Sequence, residues 1–142
     1  MRRFMFVSRC FIGKNGKWLL VRRADTDSHH AGLWECPGGK IEEERGFGFG
    51  RVREVAEETG LIVEPVTKIS YVEQFQVHDG PYAGVSGLRI FSIMKPLDEY
   101  KEVELDEREH DTFAWVTYPE MIKYDLTPEV RAAAEALSEY LF

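Results

Sequence analysis

The first half of the chain alternates short apolar runs with sharp polar breaks, a pattern typical of β-strands joined by turns. Residues 4–12 are rich in β-branched and aromatic side chains, and residues 18–21 resume the apolar run after a break at residues 13–16. We interpret this pair as a β-hairpin. Residues 33–36 form another short apolar run, which ends at Pro37-Gly38-Gly39 and predicts a further strand.

A change to helical spacing marks the segment that follows. Apolar or small side chains recur there at i, i+3, i+4 and i+7: Val52, Val55, Ala56 and Thr59. This spacing predicts an α-helix over residues 51–59 with one packing face, and Gly60 supplies a C-terminal stop. Three glycines precede it: Gly46, Gly48 and Gly50. Because glycine costs about 1 kcal/mol per helical position relative to alanine, we expect the helix to begin late, near Gly50 or Arg51.

The second half returns to strands and ends in helices. Residues 68–77, 87–94 and 113–116 are strand-like, and a charged stretch precedes the last of them. Thr117 and Glu120 have the spacing of a capping box, and Thr127-Pro128 is typical of a helix start. One helical face then collects apolar residues: Val130, Ala133, Ala134, Leu137 and Leu141. The order of elements predicts a mixed α+β fold, in a single domain over residues 1–142.

Charge and cysteine content narrow the partners. The 142 residues carry a formal net charge of −7, with no basic cluster for a nucleic-acid backbone, so long DNA or RNA is not an expected partner. A small phosphate ligand fits if metal ions supply positive charge. Cys10 and Cys36 form no CxxC pair, and we expect two reduced thiols in a cytoplasmic protein. Arg9 interrupts the first apolar run too early for a signal peptide or a membrane span.

Candidate chemistry lies on the first predicted helix. Glu54, Glu57 and Glu58 are spaced i, i+3 and i+4, so three carboxylates share one stripe, which we expect to lie opposite the packing face. A solvated acidic face is the ordinary explanation, and repulsion of about 0.2–0.5 kcal/mol per pair does not exclude it. However, Pro37-Gly38-Gly39-Lys40 just upstream is a turn whose backbone can come close to a ligand. Carboxylates and a carbonyl oxygen together predict a site for a hard cation such as Mg²⁺.

Residues 39–61 resemble the Nudix box, whose pattern is G-x5-E-x7-R-E-U-x-E-E-x-G-U, where U is a bulky aliphatic residue. The chain carries Gly39 and then the run Arg53-Glu54-Val55-Ala56-Glu57-Glu58-Thr59-Gly60-Leu61, with both spacers of the correct length. Eight of the nine specified positions match. Residues 32–40 are also similar to the entry of the box in MutT-type members. The resemblance implies the Nudix fold, a mixed β-sheet between helices in an α/β/α arrangement.

The resemblance also implies roles for individual residues. Glu54, Glu57 and Glu58 would bind Mg²⁺ or Mn²⁺, with the Gly38 carbonyl as a further ligand. Arg53 would hold a box carboxylate by charge-assisted hydrogen bonds. The general base stays open among a box glutamate and three later acids: Glu107, Glu109 and Asp111. His110 is equally ambiguous.

One position departs from the pattern. Arg45 stands where the box has glutamate, which reverses the charge beside the expected cation site. We expect Arg45 to reduce catalysis without abolishing it, since the three helix acids remain. Replacing Arg45 with glutamate should then raise turnover, and an unchanged or lower turnover would indicate that Arg45 has its own role.

The resemblance implies hydrolysis of a nucleoside diphosphate linked to another group. The MutT-like segment favours a nucleoside triphosphate, with an oxidised purine such as 8-oxo-dGTP as an example, yielding monophosphate and pyrophosphate. ADP-ribose, nucleotide sugars and dinucleoside polyphosphates stay open. So do a silent nucleotide-binding domain and a generic interaction domain. The protein would be a monomer or a homodimer with no membrane partner.

Substrate contacts are predicted outside the acidic stripe. Trp34 and Lys40 are the candidates for substrate binding. Phe75, Phe91 and Tyr82 are aromatic side chains that we expect mainly to pack in the core, with stacking on a base as the alternative. Phe47 and Phe49 are expected to pack as well, rather than to cover a ligand.

Overall fold

The computed structural model describes residues 4–25, 30–42 and 46–142. The strands within these ranges are β1 Phe4–Lys14, β2 Lys17–Arg23, β3 Trp34–Glu35, β4 Gly38–Lys40, β5 Val63–Gln76, β6 Ser86–Pro96 and β7 His110–Val116. The helices are α1 Phe47–Thr59, α2 Tyr118–Met121, α3 Pro128–Ala136 and α4 Ser138–Leu141. Arg45 lies outside the described residues, so the expectation for that position stays a prediction.

Strand β1 is the centre of the sheet. It pairs in parallel with β6 and antiparallel with β2 and β4, while β5 continues beyond β6. The predicted hairpin of β1 and β2 is confirmed. Its turn places Asn15 and Gly16 at φ values of 52° and 74°, the left-handed pair that a tight two-residue hairpin requires. Strands β3 and β7 both pair with β2.

The two faces of the sheet carry separate cores, which follows from the alternation of side chains along a strand. Cys10 and Ile12 of β1 pack with Val55 of α1. Phe11, between them, packs on the opposite face with Phe91 and with Val130 of α3. The sheet therefore lies between α1 and the C-terminal helices, which confirms the predicted α/β/α arrangement.

Helix α1 begins earlier than its glycines predicted. It starts at Phe47, with Gly46 as its N-cap at a φ of 78°, so the expected late start was wrong. Gly50 is buried, and a Cβ there would lie 2.6 Å from Cγ2 of Ile41. Close packing of the helix on Ile41 therefore selects glycine at this position and overrides its poor helix propensity. Phe49 is 54% exposed, so the expectation that it packs in the core was also wrong.

The C-terminal predictions hold with one adjustment. Thr117 accepts a hydrogen bond from the Glu120 backbone, and Glu120 Oε1 accepts one from the Thr117 backbone, which confirms the capping box. Thr127 caps α3, and the whole predicted apolar face is buried. The helical segment is divided at Leu137 into α3 and α4. Among the described residues, no helix is long and apolar enough to cross a membrane.

Candidate active site

Strand β4 brings its glycine backbone against α1. The Gly38 amide donates a 3.0 Å hydrogen bond to Oε2 of Glu58. A Cβ on Gly38 would lie 1.8 Å from the carbonyl oxygen of Ser8 in β1, and a Cβ on Gly39 would lie 2.7 Å from Oε2 of Glu54. The two glycines are therefore needed for different reasons. Gly38 lets β4 pair closely with β1, and Gly39 leaves room for a carboxylate of the helix.

The acidic stripe of α1 is not a uniform exposed face. Glu58 is only 6% exposed, because β4 covers this side of the helix, whereas the Glu57 side chain is 58% exposed. The expectation that all three acids face away from the packed side was wrong for Glu58. Arg53 lies 3.7 Å from Glu54 and 3.9 Å from Glu57, within ion-pair distance of both carboxylates.

A carboxylate and an imidazole join Glu58 from the segment that leads into β7. One ligand atom from each of Glu58, Glu109 and His110 lies within 4.8 Å of the others. The Nδ1 atom of His110 is buried and has no hydrogen-bond partner among the described residues. Carboxylate oxygens and an imidazole nitrogen at such spacing can hold a divalent cation.

Burial and like charges make this cluster costly without a cation. Burial raises the pKa of Glu58 well above its ordinary value, and nearby Glu109 adds to the rise although Arg9 and the Gly38 amide oppose it. Burial also raises the pKa of Glu54, and the charge of Glu57 contributes. A bound divalent cation would favour the charged form of each carboxylate.

A second network stands beside the acidic cluster and is centred on Glu35 of β3. Its Oε2 lies 2.7 Å from Nε2 of His110, 3.0 Å from Nη1 of Arg23 and 3.4 Å from Nη1 of Arg9. Burial alone would raise the pKa of Glu35, but Arg9, the His110 hydrogen bond and Arg23 outweigh it, and the pKa falls to about 2. Glu35 is therefore ionised near neutral pH.

The network and the acidic cluster line one cavity of about 170 Å³. Its walls are formed by Arg9, Arg23, Glu35, Gly38, Gly39, Glu58, Glu109 and His110. Three carboxylates and two guanidinium groups therefore share the lining. A cation held by the acids and a phosphate contacting the cation and the arginines would complement this distribution of charge.

The later acids differ in their surroundings. Glu109 and Glu107 are both exposed, but Glu109 lines the cavity and Glu107 does not, and Asp111 is bound to Arg22, with its Oδ2 2.6 Å from Nη1. His110 is buried against Glu35. Of the open choices for a proton acceptor after the box, the structure brings only Glu109 to the cluster as a carboxylate.

The predicted substrate-binding residues lie near the cavity but not in its lining. Trp34 is half-buried and packs edge-to-face on Tyr124, with ring centroids 5.0 Å apart. Lys40 is exposed, and its Nζ lies 4.4 Å from the centre of the Tyr82 ring. Their roles stay predictions.

The remaining aromatic candidates differ in exposure, and Tyr82 is 40% exposed, so the expectation that it packs in the core was wrong. Phe91 is fully buried in the core, as expected, and so cannot stack on a base. The Phe75 ring is covered by the guanidinium of Arg89 at 4.3 Å. Phe47 is half-buried under Arg51, at 5.2 Å from ring centre to guanidinium.

Sequence reasoning did not anticipate the Glu35 network. A signal was present, because Arg9 and Glu35 each interrupt an apolar run, and a charge within an apolar run implies a buried partner or a site. Which charges meet depends on long-range strand pairing, which residue spacing does not encode.

Comparisons with known proteins agree with this fold and identify the family. A family model of the NUDIX domain matches residues 6–139, and the chain belongs to the Nudix hydrolase family. The CTP pyrophosphohydrolase of Escherichia coli (strain K12) is 32% identical over 122 residues, which cover 86% of this chain and 82% of that protein. Nudix hydrolases act on small nucleotide substrates and generally depend on divalent metals. The protein is therefore an enzyme of this family, as the resemblance implied.

Solved structures are similar over nearly the whole chain. The crystal structure of a MutT protein from Methanosarcina mazei Go1 has a TM-score of 0.74 and 22% identity, covering 98% of this chain and 96% of that one. The solution structure of the Escherichia coli ORF135 protein has a TM-score of 0.69 and 26% identity, covering 98% of this chain and 94% of that one. Both likenesses support the Nudix fold.

Proposed function

We propose that this enzyme is a divalent-metal-dependent pyrophosphohydrolase that cleaves a nucleoside triphosphate between its α and β phosphates. The products are a nucleoside monophosphate and pyrophosphate. The observation that carries the proposal is the buried carboxylate of Glu58, fixed by the Gly38 amide at the wall of a cavity that also contains Glu109 and two arginines. The relative named CTP pyrophosphohydrolase supports a triphosphate substrate and makes CTP the first one to test.

The proposed metal ligands are the box glutamates Glu54, Glu57 and Glu58, with the Gly38 carbonyl. Oxygen donors of this kind suit Mg²⁺ or Mn²⁺, and burial, with a smaller contribution from neighbouring carboxylates, raises the pKa of Glu54 and of Glu58 in the absence of a cation. When bound, such a cation supplies charge neutralisation at phosphorus and lowers the pKa of a coordinated water.

The chain's own residues would do the remaining work. Glu109 is the proposed proton acceptor for the attacking water, because it lines the cavity beside Glu58 while Glu107 is not part of the lining. Arg53 lies within ion-pair distance of both Glu54 and Glu57 and would keep these carboxylates oriented. Trp34 and Lys40 remain proposed contacts to the nucleotide outside the cavity.

Product analysis across a substrate panel tests the proposal. The panel contains CTP, dCTP, 8-oxo-dGTP, ADP-ribose and diadenosine tetraphosphate, each with Mg²⁺, and the products are separated by ion-exchange chromatography. We expect monophosphate and pyrophosphate in equal amounts from a triphosphate. Release of diphosphate and inorganic phosphate, or turnover confined to ADP-ribose or the dinucleotide, would contradict the proposal.

The rate of the same reaction tests whether Glu109, rather than Glu107, is the proton acceptor. Glu109→Gln should lower kcat strongly, because glutamine keeps the shape but cannot accept a proton. Glu107→Gln removes the same charge two residues away, outside the cavity lining, and should leave kcat near the wild-type value. Equal effects of the two substitutions would show that Glu109 has no special role.

A further inference from the structure

Arg9 is a charged side chain in the middle of the central strand, and it forms part of the cavity wall. Its side chain is 17% exposed. Its Nη1 donates to the carbonyl oxygens of Cys36 at 3.3 Å and Gly38 at 3.4 Å and lies 3.4 Å from Oε2 of Glu35. Burial lowers the pKa of Arg9, but Glu35 and Glu58 outweigh that effect and raise it, so the guanidinium stays charged.

These contacts leave much of the guanidinium uncommitted. All three are longer than the usual 2.7–3.2 Å for a nitrogen–oxygen hydrogen bond. Within residues 4–25, 30–42 and 46–142, Arg9 makes its hydrogen bonds through Nη1 alone. Glu35 already has closer partners in His110 at 2.7 Å and Arg23 at 3.0 Å. A phosphate oxygen in the cavity could therefore gain a donor from Arg9 without stripping Glu35 of its ion pairs.

The position of Arg9 also affects the cation. Its Nη1 contacts the Gly38 carbonyl, which is one of the proposed metal ligands, and its charge acts on Glu58, which is another. The fixed positive charge of the Arg9 guanidinium disfavours binding of a divalent cation nearby. A phosphate group between the Arg9 guanidinium and the cation would be attracted to both and would offset their mutual repulsion.

We propose that Arg9 is a phosphate-binding residue of the active site and that it weakens metal binding until a nucleotide is present. Metal and nucleotide then bind cooperatively, each raising the affinity for the other. This inference rests on the proposed function for the location of the metal and of the nucleotide. It adds a phosphate-contacting residue that lies outside the box, on β1.

Isothermal titration calorimetry tests the proposal without catalysis. The probes are Mn²⁺ alone and α,β-methylene-CTP, which cannot be cut at the proposed bond, with and without Mn²⁺. Arg9→Met should bind Mn²⁺ several-fold more tightly than wild type in the absence of nucleotide. It should bind the analogue at least about tenfold more weakly, the size expected for one lost charge-assisted hydrogen bond, and should show reduced coupling between the two ligands.

Two further variants separate the possible causes. Arg9→Lys keeps the charge but loses the planar fork, so Mn²⁺ affinity should stay near wild type while analogue affinity falls. Lys95→Met removes a positive charge from an exposed pair with Glu64 and should change neither affinity. Thermal unfolding of each variant checks that it is folded. If Arg9→Met does not fold, Arg9→Lys decides, and unchanged analogue affinity in it overturns the proposal.

Other results also overturn the inference. Weaker binding of both Mn²⁺ and analogue by folded Arg9→Met would show that Arg9 only holds the cavity wall, and unchanged binding of both would show no role. A wild-type protein that binds both probes but hydrolyses no triphosphate refutes the proposed function, while the coupling through Arg9 can still be measured. A wild-type protein that binds neither probe contradicts both proposals.

Discussion

One carboxylate oxygen, Oε2 of Glu35, joins basic side chains from three strands. Arg9 comes from β1, Arg23 from β2 and His110 from β7. The sequence correctly predicted that the box carboxylates lie close together on one helix. Residues three and four apart on a helix are neighbours regardless of the rest of the fold. The sequence did not place Glu35, whose partners are brought to it by pairing between distant strands.

Replacing Glu35 with glutamine should remove the part of the pH dependence of stability that comes from ionisation of Glu35. The folded-state pKa of about 2 lies below the ordinary value of 4.5, so the charged form stabilises the fold above pH 4.5 and this contribution is lost as the pH falls toward 2. The shift corresponds to about 3 kcal/mol. Urea unfolding of wild type and Glu35→Gln from pH 6 to pH 2.5 measures the difference.

The expected result is a wild-type advantage at pH 6 that shrinks steadily below pH 4.5. A gap that stays constant across this range would mean that the lost stability comes from packing rather than from the ionised carboxylate.

At the scale of elements, α1 shows where local propensity and tertiary contact disagree. The apolar spacing and Gly60 predicted the body and the end of the helix, and both are confirmed. Its start was misjudged because glycine was taken only as a poor helix former. At Gly50 the reason for glycine is the approach of Ile41, which no local pattern reveals.

Two alanine substitutions on this helix should have opposite effects. A Cβ at Gly48 meets nothing within 4 Å, so Gly48→Ala should stabilise the protein by about 0.5–1 kcal/mol through helix propensity. A Cβ at Gly50 would lie 2.6 Å from Ile41 Cγ2, and overpacking of this kind costs about 1–3 kcal/mol. Gly50→Ala should therefore destabilise.

The free energy of unfolding in urea measures both variants, and each controls for the propensity change in the other. Stabilisation by both substitutions would show that Ile41 moves aside at little cost and that the packing explanation is wrong.

At the scale of the whole molecule, the order of strand-like and helical segments predicted a mixed α+β fold, and the resemblance to the Nudix family implied a mixed sheet between helices. The sequence pattern did not predict that β1 and β6 pair in parallel, because residues 15–85 separate these two strands along the chain. That pairing, with β4 on the other side of β1, positions Gly38 against Glu58 and opens the cavity beside Arg9. The local motif was therefore readable from spacing, while the surrounding site depends on topology.

The net charge of the whole chain also affects how a nucleotide can bind. The formal charge of −7 would repel a nucleotide, so local attraction would come from the two arginines that line the cavity and from the proposed divalent cation. We therefore predict that hydrolysis requires a divalent cation bound by the carboxylates around Glu58.

The rate of pyrophosphate release from CTP, measured as Mg²⁺ is raised from zero, tests that claim most directly in wild type, Glu58→Gln and Glu135→Gln. Glu135 is an exposed glutamate of α3 and supplies the matched loss of charge. We predict that wild type and Glu135→Gln show the same saturable dependence on Mg²⁺, and that folded Glu58→Gln loses nearly all turnover at every Mg²⁺ concentration. Turnover without divalent metal, or a Glu58→Gln enzyme as active as Glu135→Gln, would contradict the account.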